Sequence, residues 1–211
     1  IQAMALIKAA AAEANGALGH LPKAQAKAIS GAANAIAAGE FAEQFPVDVF
    51  QTGSGTSSNM NLNEVIAALV KRQAKLVVHP NNHVNLGQSS NDVVPSSSLL
   101  ASALLLNRLL LPALKQLRQS VARKARQGRG LLKTGRTHLM DAMPMTVEQE
   151  LSGWQAQLDS ATERLQDTGK RLLALPLGGT AVGTGVNADP KMTVLACRIL
   201  SKNTGLRIHP A

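Results

Sequence analysis

The fold class is decided by the stretch Leu99-Leu-Ala-Ser-Ala-Leu-Leu-Leu-Asn-Arg-Leu-Leu-Leu-Pro-Ala-Leu-Lys-Gln-Leu-Arg-Gln-Ser-Val121. Its apolar residues recur at the three- and four-residue spacing of one helix face. The members of this stripe are Leu99, Leu100, Ala103, Leu106, Leu110, Leu114, Leu117 and Val121. The spacing predicts a long helix over about residues 96–126, with a kink at Pro112.

A second stripe and the composition extend the helical prediction to the whole chain. Leu151, Trp154, Leu158, Ala161, Leu165 and Leu172 predict another long helix over about 146–173. The chain has 211 residues, of which 45% are hydrophobic and only 2% aromatic, so Ala, Leu, Ile, Val and Met must build its core. That composition favours packed helices over a sheet. Shorter helices are expected over about 1–18, 22–38, 57–75 and 189–203.

These patterns predict an all-α fold, an elongated helical bundle whose apolar stripes need partner subunits. The formal net charge is +9, but the basic residues are spread along helices without interleaved aromatics, which disfavours nucleic-acid binding. Cys197 is the single cysteine and is expected to be a small buried hydrophobe. No signal peptide and no apolar run long enough for a membrane are expected, which favours the cytoplasm. Both ends suggest a fragment of a longer protein.

Four polar, glycine-containing segments interrupt the helices and are the candidate functional regions. They are Thr52-Gly-Ser-Gly-Thr-Ser-Ser-Asn-Met-Asn61, His79-Pro-Asn-Asn-His-Val-Asn-Leu-Gly-Gln-Ser-Ser-Asn-Asp92, Thr134-Gly-Arg-Thr-His-Leu-Met-Asp141 and Leu177-Gly-Gly-Thr-Ala-Val-Gly-Thr-Gly185. Their hydroxyl, amide and imidazole groups form hydrogen bonds without a fixed charge. Several such segments together suit a small anion that is held by many donors.

The first two segments also have structural interpretations. Ser57 or Ser58 could cap the helix that follows the first segment, and Asp92 could assist the start of the long helix. His79 and His83 would face each other on a helix and suggest a metal site, but Pro80 disfavours a helix there. No metal site is therefore expected.

The third segment contains the candidate acid–base residue. His138 follows the hydroxyl of Thr137 in a connector between two long helices, and an imidazole can take or give a proton near neutral pH. The alternative is a structural histidine that is hydrogen-bonded to the backbone. For Arg136 and Asp141 the alternative to a functional role is a salt bridge that positions the turn.

Taken together and in this order, the four segments resemble class II fumarase, of the fumarase/aspartase superfamily, over essentially the whole chain. Within that superfamily, aspartase-type sequences carry Ala, Thr and Gln at the positions of Ser54, Ser90 and His138, so these three residues favour fumarase. The resemblance implies the reversible hydration of fumarate to (S)-malate, in the tricarboxylic acid cycle, without a cofactor. The alternatives are an aspartase-like ammonia-lyase and a non-catalytic helical scaffold for an acidic partner.

The resemblance also implies site residues and an assembly. It gives His138 a role in proton transfer and assigns dicarboxylate binding to Ser54, Gly55, Thr56, Ser89, Ser90, Asn91 and Thr137. It identifies a second dicarboxylate site at His79, Pro80, Asn81 and Asn82, with Asn82 where relatives commonly have Asp. It further implies a homotetramer in which each active site draws on three subunits.

Residues 1–86 resemble part of an N-terminal helical domain, and residues 87–211 resemble the first part of a central helical-bundle domain. Three departures from the family pattern accompany this division. The first stretch of the N-terminal domain is missing, the linker between Glu64 and His79 is several residues short, and no counterpart of a Gly-Ser-Ser loop with a catalytic Ser and a substrate-binding Lys is present. The 211 residues alone are therefore expected to be inactive.

Overall fold

The structure is a computed structural model, and it describes residues 1–48, 50–51 and 53–211. Seven α-helices occur among these residues: Gln2–Ala17 (α1), Lys23–Ala37 (α2), Thr56–Ala74 (α3), Ser90–Leu105 (α4), Leu111–Gln127 (α5), Val147–Arg171 (α6) and Pro190–Thr204 (α7). The strands are Leu132–Thr137 (β1), Met140–Thr146 (β2), Ala174–Leu175 (β3) and His209–Pro210 (β4). The all-α prediction is confirmed, and the predicted helices, apart from the long central one, lie close to their expected bounds.

The chain forms two compact units. Unit 1 combines Ile1–Ala103 with Leu172–Ala211, and unit 2 is Leu104–Arg171. Unit 1 is therefore discontinuous in sequence, because the chain leaves it after α4 and returns before α7. The predicted domain boundary between residues 86 and 87 is based on the family resemblance, whereas the two units are defined by their compactness. That boundary stays a prediction.

The core of unit 1 is built around α1, which packs against α2 and α7. Most buried residues of α1 are alanines, and small side chains allow helices to approach closely. Helices α1 and α2 approach closely at Gly16, where an added Cβ would lie 2.6 Å from the Cβ of Ala26. Ile7, Ile29 and Ile36 fill the space between these helices. The short parallel pair of β3 with β4 lies in the same unit.

Pro80 does not exclude a helical turn, contrary to the sequence interpretation. Residues Pro80–Val84 form a single π-helical turn, with Pro80 at its first position. Proline is tolerated there because the first N–H groups of a helical segment have no partner within it. The turn places residues 79 to 85 against α3 and α1, and this positions the second polar segment in unit 1.

The long central helix starts earlier than its apolar stripe indicates, because polar residues form its first turns. Helical backbone continues from Ser90 to Gln127, with a π-helical turn at Leu106–Leu110 just before Pro112. Proline removes one backbone donor, and the helix type changes just before it. The kink at Pro112 stays a prediction. By length and composition this run could cross a membrane, with a window of mean hydropathy 1.5, so the expectation about apolar run length is wrong.

Unit 2 contains α5, a β-hairpin and α6. The sequence predicted a connector over residues 127–144, but β1 and β2 pair there as antiparallel strands with an irregularity between Thr134 and Arg136. An added Cβ at the intervening Gly135 would lie 2.8 Å from the carbonyl oxygen of Met143, so the close strand approach requires glycine. Helices α5 and α6 pack together and leave large apolar side chains exposed, among them Leu117 and Trp154. Leu109, in the π-helical turn before α5, is exposed as well.

Candidate functional site

Three of the four polar segments meet at one cleft in unit 1. The cleft has a volume of about 370 Å³. Its lining residues come from α3, from the segment 81–90 and from the Gly-rich turn after β3; they are Asn59, Met60, Asn81, Asn85, Gly87, Gln88, Ser89, Ser90, Thr180, Ala181, Val186 and Asn187. None of these side chains carries a formal charge. Amide and hydroxyl groups therefore dominate the polar part of this cleft.

A hydrogen-bonded chain of side chains forms one wall of the cleft. Asn59 Nδ2 donates to Ser90 Oγ at 3.0 Å and lies 3.4 Å from Asn85 Oδ1. Asn59 is 1% exposed, and its Oδ1 has no hydrogen-bond partner among the described residues. Thr180 is also buried, and its Oγ1 likewise has no partner in the described part of the chain. Buried polar atoms of this kind are usually satisfied, so they mark positions where a ligand or water completes the site.

A buried lysine lies beneath this wall. Lys8 of α1 is 0% exposed, and its Nζ donates to Asn85 Oδ1 at 2.6 Å and to Gln88 Oε1 at 3.0 Å. Burial lowers the pKa of Lys8 from 10.5 to about 7, and the nearby charge of Asp92 opposes this shift. A lysine is almost never fully buried without a partner, because removing its charge from water is costly.

Asp92 organises the Gly-rich turn on the other side of the cleft. Its Oδ2 accepts hydrogen bonds from the backbone N–H groups of Gly178 and Thr180, each at 2.9 Å. Its Oδ1 accepts from the N–H of Ser89 at 2.9 Å, while Ser89 Oγ accepts from the N–H of Asn91. The second pair forms a capping box at the start of α4. The expectation that Asp92 assists the helix start is confirmed, and the same carboxylate also fixes the turn.

Ser54, Gly55 and Thr56 lie together at the N-terminus of α3. Gly55 has a φ of +71°, and an added Cβ there would lie 2.7 Å from Val94 Cγ1 of α4, so both the backbone and the contact require glycine. The hydroxyl groups of Ser54 and Thr56 are 3.0 Å apart. Thr52, the first residue of this segment, lies outside the described residues.

The capping interpretation of Ser57 and Ser58 is wrong, because both residues lie inside the first turn of α3. The N-cap position is Gly55, which has no side chain to cap with. The side chain of Gln51 caps this turn instead: its Oε1 accepts from the N–H of Ser58 at 3.2 Å, and its Nε2 donates to Ser58 Oγ.

His79 caps the π-helical turn of the second segment. The ring atom Nδ1 of His79 accepts hydrogen bonds from the backbone N–H groups of Asn81 and Asn82, each at 3.2 Å. The backbone N–H of His79 donates to His83 Nδ1 at 2.9 Å. Pro80 is half-buried, whereas Asn81 and Asn82 are exposed and present their side-chain amides at the surface. Asn81 also lines the cleft, so this turn and the cleft share one residue.

Asn91 is a donor whose side chain already has a protein partner. Its Nδ2 donates to the carbonyl oxygen of Ala181 at 2.8 Å, which joins the start of α4 to the Gly-rich turn. Of the residues with a predicted role in dicarboxylate binding, Ser89 and Ser90 line the cleft of unit 1. Ser54, Gly55, Thr56 and Asn91 lie elsewhere in the same unit, and Thr137 belongs to unit 2.

His138 lies at the tip of the hairpin in unit 2. Thr137 pairs with Met140, so His138 and Leu139 form a two-residue loop in which both have positive φ, +48° and +64°. Such values are uncommon for residues with bulky side chains and carry backbone strain. The His138 side chain is exposed. The predicted salt bridge between Arg136 and Asp141 is present, at 3.2 Å.

The other candidate groups of the described residues bear on metal ligation and thiol chemistry. Within residues 1–48, 50–51 and 53–211, no group of three or more His, Cys, Asp or Glu side chains could hold a metal ion. Cys197 is buried in α7, and burial raises the pKa of its thiol to about 11. A thiol with a raised pKa is a poor nucleophile at neutral pH, in agreement with its predicted structural role.

The sequence analysis missed Lys8 as part of the site, and it gave Asn85 and Thr180, which lie within the polar segments, no individual role. A lysine in an alanine-rich helix normally lies on the solvent-exposed face. The only sequence feature that could indicate a buried Lys8 is its position on the same face of α1 as buried residues. The neighbours Ala5 and Ala12 share that face, and this spacing could have identified the lysine as inward-facing.

Comparisons with known proteins identify the family of the chain. The model of a protein family described as "Lyase" matches residues 1–211. A class II fumarate hydratase of Xylella fastidiosa is 56% identical over 211 residues, which are 100% of this chain and 45% of that protein. The chain thus spans less than half the length of the curated relatives that it matches.

Solved structures give the same picture. A fumarate lyase:delta crystallin of Brucella melitensis, solved with bound cobalt, superposes with a TM-score of 0.94 at 40% identity and covers 100% of this chain and 47% of its own. A class II fumarase of Schistosoma mansoni has a TM-score of 0.91 at 37% identity, over 97% of this chain and 44% of its own.

Proposed function

Because the chain belongs to this lyase family, we propose that the whole protein hydrates fumarate to (S)-malate reversibly, as a class II fumarate hydratase. The observation that carries the proposal is the cleft of unit 1, where three polar segments converge on a surface of neutral donors. The identity of 56% with a class II fumarate hydratase supports the choice of reaction.

The chemistry of the reaction fits the donors of this site. Removal of the C3 proton of malate places additional negative charge on a carboxylate that is already ionised. Preorganised hydrogen-bond donors stabilise that charge most when they need no rearrangement during the reaction. The capping box at Ser89 and the bonds from Asp92 hold the backbone around the cleft in one conformation.

Individual roles follow from the family resemblance and remain proposals. Ser89 and Ser90 bind a carboxylate from within the cleft, and Ser54, Gly55, Thr56 and Asn91 bind it from the adjoining helix ends. Thr137 and His138 contribute from the hairpin tip, with His138 in proton transfer. The turn from His79 to Asn82 forms a second dicarboxylate site. The base that removes the C3 proton is supplied by a Gly-Ser-Ser loop with no counterpart in these 211 residues.

A homotetramer with shared active sites completes the proposal. The exposed apolar side chains of α5, α6 and the π-helical turn before α5, including Leu109, Leu117 and Trp154, are suited to burial against other copies of the chain. Sharing would let the hairpin tip of one subunit reach a cleft of another. We further assign the enzyme to the cytoplasm and the reaction to the tricarboxylic acid cycle.

The proposal is tested by fumarate consumption with the whole protein. Purified enzyme should consume fumarate, as followed by loss of its ultraviolet absorbance, and should form malate without added metal or cofactor. A parallel assay of fumarate with added ammonia should form no aspartate. Aspartate formation without hydration would assign the protein to the ammonia-lyases, and the absence of both reactions would overturn the proposal.

The 211-residue chain provides the matched comparison. We expect it to show no significant hydration, because electrostatic binding without a positioned base leaves only a small residual rate. Hydration by this chain at the rate of the whole protein would show that the base lies within residues 1–211. Light scattering on the whole protein should give the mass of a tetramer, and an active monomer would contradict the shared-site arrangement.

A further inference from the structure

The buried Lys8 is the least expected polar group of unit 1. Its side chain is 0% exposed on a helix whose other buried positions are mainly alanine. An apolar residue would fill the same space without the cost of removing a cation from water. Its two bonded partners, Asn85 and Gln88, are neutral amides that line the cleft. The lysine therefore acts on the cleft wall from behind.

The lysine fixes the orientation of the Asn85 amide. An ammonium group only donates hydrogen bonds, so the Asn85 atom 2.6 Å from Nζ must be the carbonyl oxygen. The amide nitrogen of Asn85 then points away and donates to the carbonyl oxygen of Gln88 at 3.1 Å. Lys8 and the Gln88 carbonyl therefore hold this amide in the same orientation, and without Lys8 the oxygen Oδ1 loses its shortest hydrogen bond.

The requirement that a donor faces an acceptor also fixes the orientation of the next side chain in the wall, Asn59. The Asn59 atom that lies 3.4 Å from Asn85 Oδ1 faces an acceptor, so it must be the amide nitrogen. That nitrogen donates to Ser90 Oγ at 3.0 Å. Since an amide nitrogen cannot accept a proton, the hydroxyl hydrogen of Ser90 must point elsewhere, and Ser90 lines the cleft.

We infer that Lys8 is a positioning residue that acts through Asn85 and Asn59 to make Ser90 a hydrogen-bond donor to a carboxylate in the cleft. This inference deepens the proposed function and rests on it. In this inference Ser90 contacts the ligand directly. Lys8 does not contact the ligand and only sets the direction of the hydrogen bonds that run through Asn85 and Asn59 to Ser90. Burial lowers the pKa of Lys8 to about 7, so the ammonium form on which this argument rests prevails below pH 7, and succinate binding is measured there.

The test is a double-mutant cycle on the whole protein, with succinate as a non-reacting dicarboxylate. Ser90→Ala should weaken succinate binding about ten- to a hundredfold, since it removes a hydrogen bond to a charged group. Lys8→Met should weaken binding about five- to tenfold. If Lys8 acts through Ser90, the double variant should bind like Ser90→Ala alone. Lys27→Met removes one exposed positive charge from α2 and should leave binding unchanged.

The outcomes separate this inference from the proposed function. If the unaltered enzyme neither binds succinate nor hydrates fumarate, the proposed function fails and the inference fails with it. If it does both, but Lys8→Met binds normally or its effect adds to that of Ser90→Ala, only the inference fails. If circular dichroism shows that Lys8→Met does not fold, the cycle is run with Lys8→Gln, whose amide NH2 keeps a donor group. Succinate affinity between that of the unaltered enzyme and that of Ser90→Ala then supports the inference. Effects of Lys8→Gln and Ser90→Ala that add in the double variant overturn it.

Discussion

Replacement of Asp92 by Asn should destabilise unit 1 while leaving the size of the side chain unchanged. Asp92 is 2% exposed and accepts hydrogen bonds from the backbone N–H groups of Ser89, Gly178 and Thr180. Asparagine has one acceptor oxygen, so it can keep the bonds to Gly178 and Thr180 only by turning its NH2 group towards the N–H of Ser89. One charge-assisted bond is lost, and two donors then face each other.

The magnitude follows from the number of bonds. A hydrogen bond to a charged group contributes ~1.5–3 kcal/mol, and the two remaining bonds become neutral and weaker. The expected loss is about 2–4 kcal/mol, which lowers the protection of local amides ~30- to 1000-fold where they exchange through opening of this unit. Hydrogen exchange read by NMR at Gly178 and Thr180 is the direct assay. Trp154, the single tryptophan, lies in unit 2, and its fluorescence would not report this change.

Asp167→Asn is the matched control, because Asp167 is an exposed residue of α6 that pairs only at the surface. It should change stability by less than ~0.5 kcal/mol. If Asp92→Asn leaves amide exchange at Gly178 and Thr180 as it is in the unaltered chain, the carboxylate does not hold the turn, and our account of the cleft is wrong.

Three further predictions concern single residues. Leu139→Gly should stabilise unit 2 by about 1 kcal/mol, because Leu139 is 97% exposed with a φ of +64°; urea unfolding followed by Trp154 fluorescence measures this, and a loss of stability would contradict the strain argument. The free energy of unfolding should rise between about pH 7 and 10.5, because in this range the unfolded chain retains the Lys8 proton that the folded chain has lost. Urea unfolding curves at a series of pH values measure this. If the free energy of unfolding of Lys8→Met rises as steeply with pH, the prediction is refuted. In the whole protein, His138→Asn should lower the hydration rate by roughly 10² or more, and an unchanged rate in an intact assembly would assign His138 a structural role.

The helices could be predicted from the sequence because their signals are local. Apolar spacing identified the long helices, and the shorter helices lie close to the ranges expected for them. The hairpin was missed for a local reason too. Its loop is His138-Leu139 rather than a pair such as Asn-Gly that accepts positive φ easily, so the usual hairpin signal is absent.

The cleft was only partly predictable, because its contacts join residues far apart in sequence. Asp92 reaches Gly178 and Thr180 across 86 and 88 residues, and Lys8 reaches Asn85 across 77. No periodic pattern connects such pairs. The polar segments showed which groups are suited to an anion, but the partner that orients them lies in an alanine-rich helix with no polar segment of its own.

The discontinuity of unit 1 has a consequence for biosynthesis. Helix α1 leaves the ribosome early, yet α7, one of the helices that covers it, is translated only after all of unit 2. During that interval the alanine face of α1 stays partly uncovered, and the Gly-rich turn that Asp92 will hold does not yet exist. A nascent chain in this state exposes apolar surface and is a natural client for chaperones. Slowed translation through unit 2 should therefore lower the yield of folded protein more than slowed translation after α7.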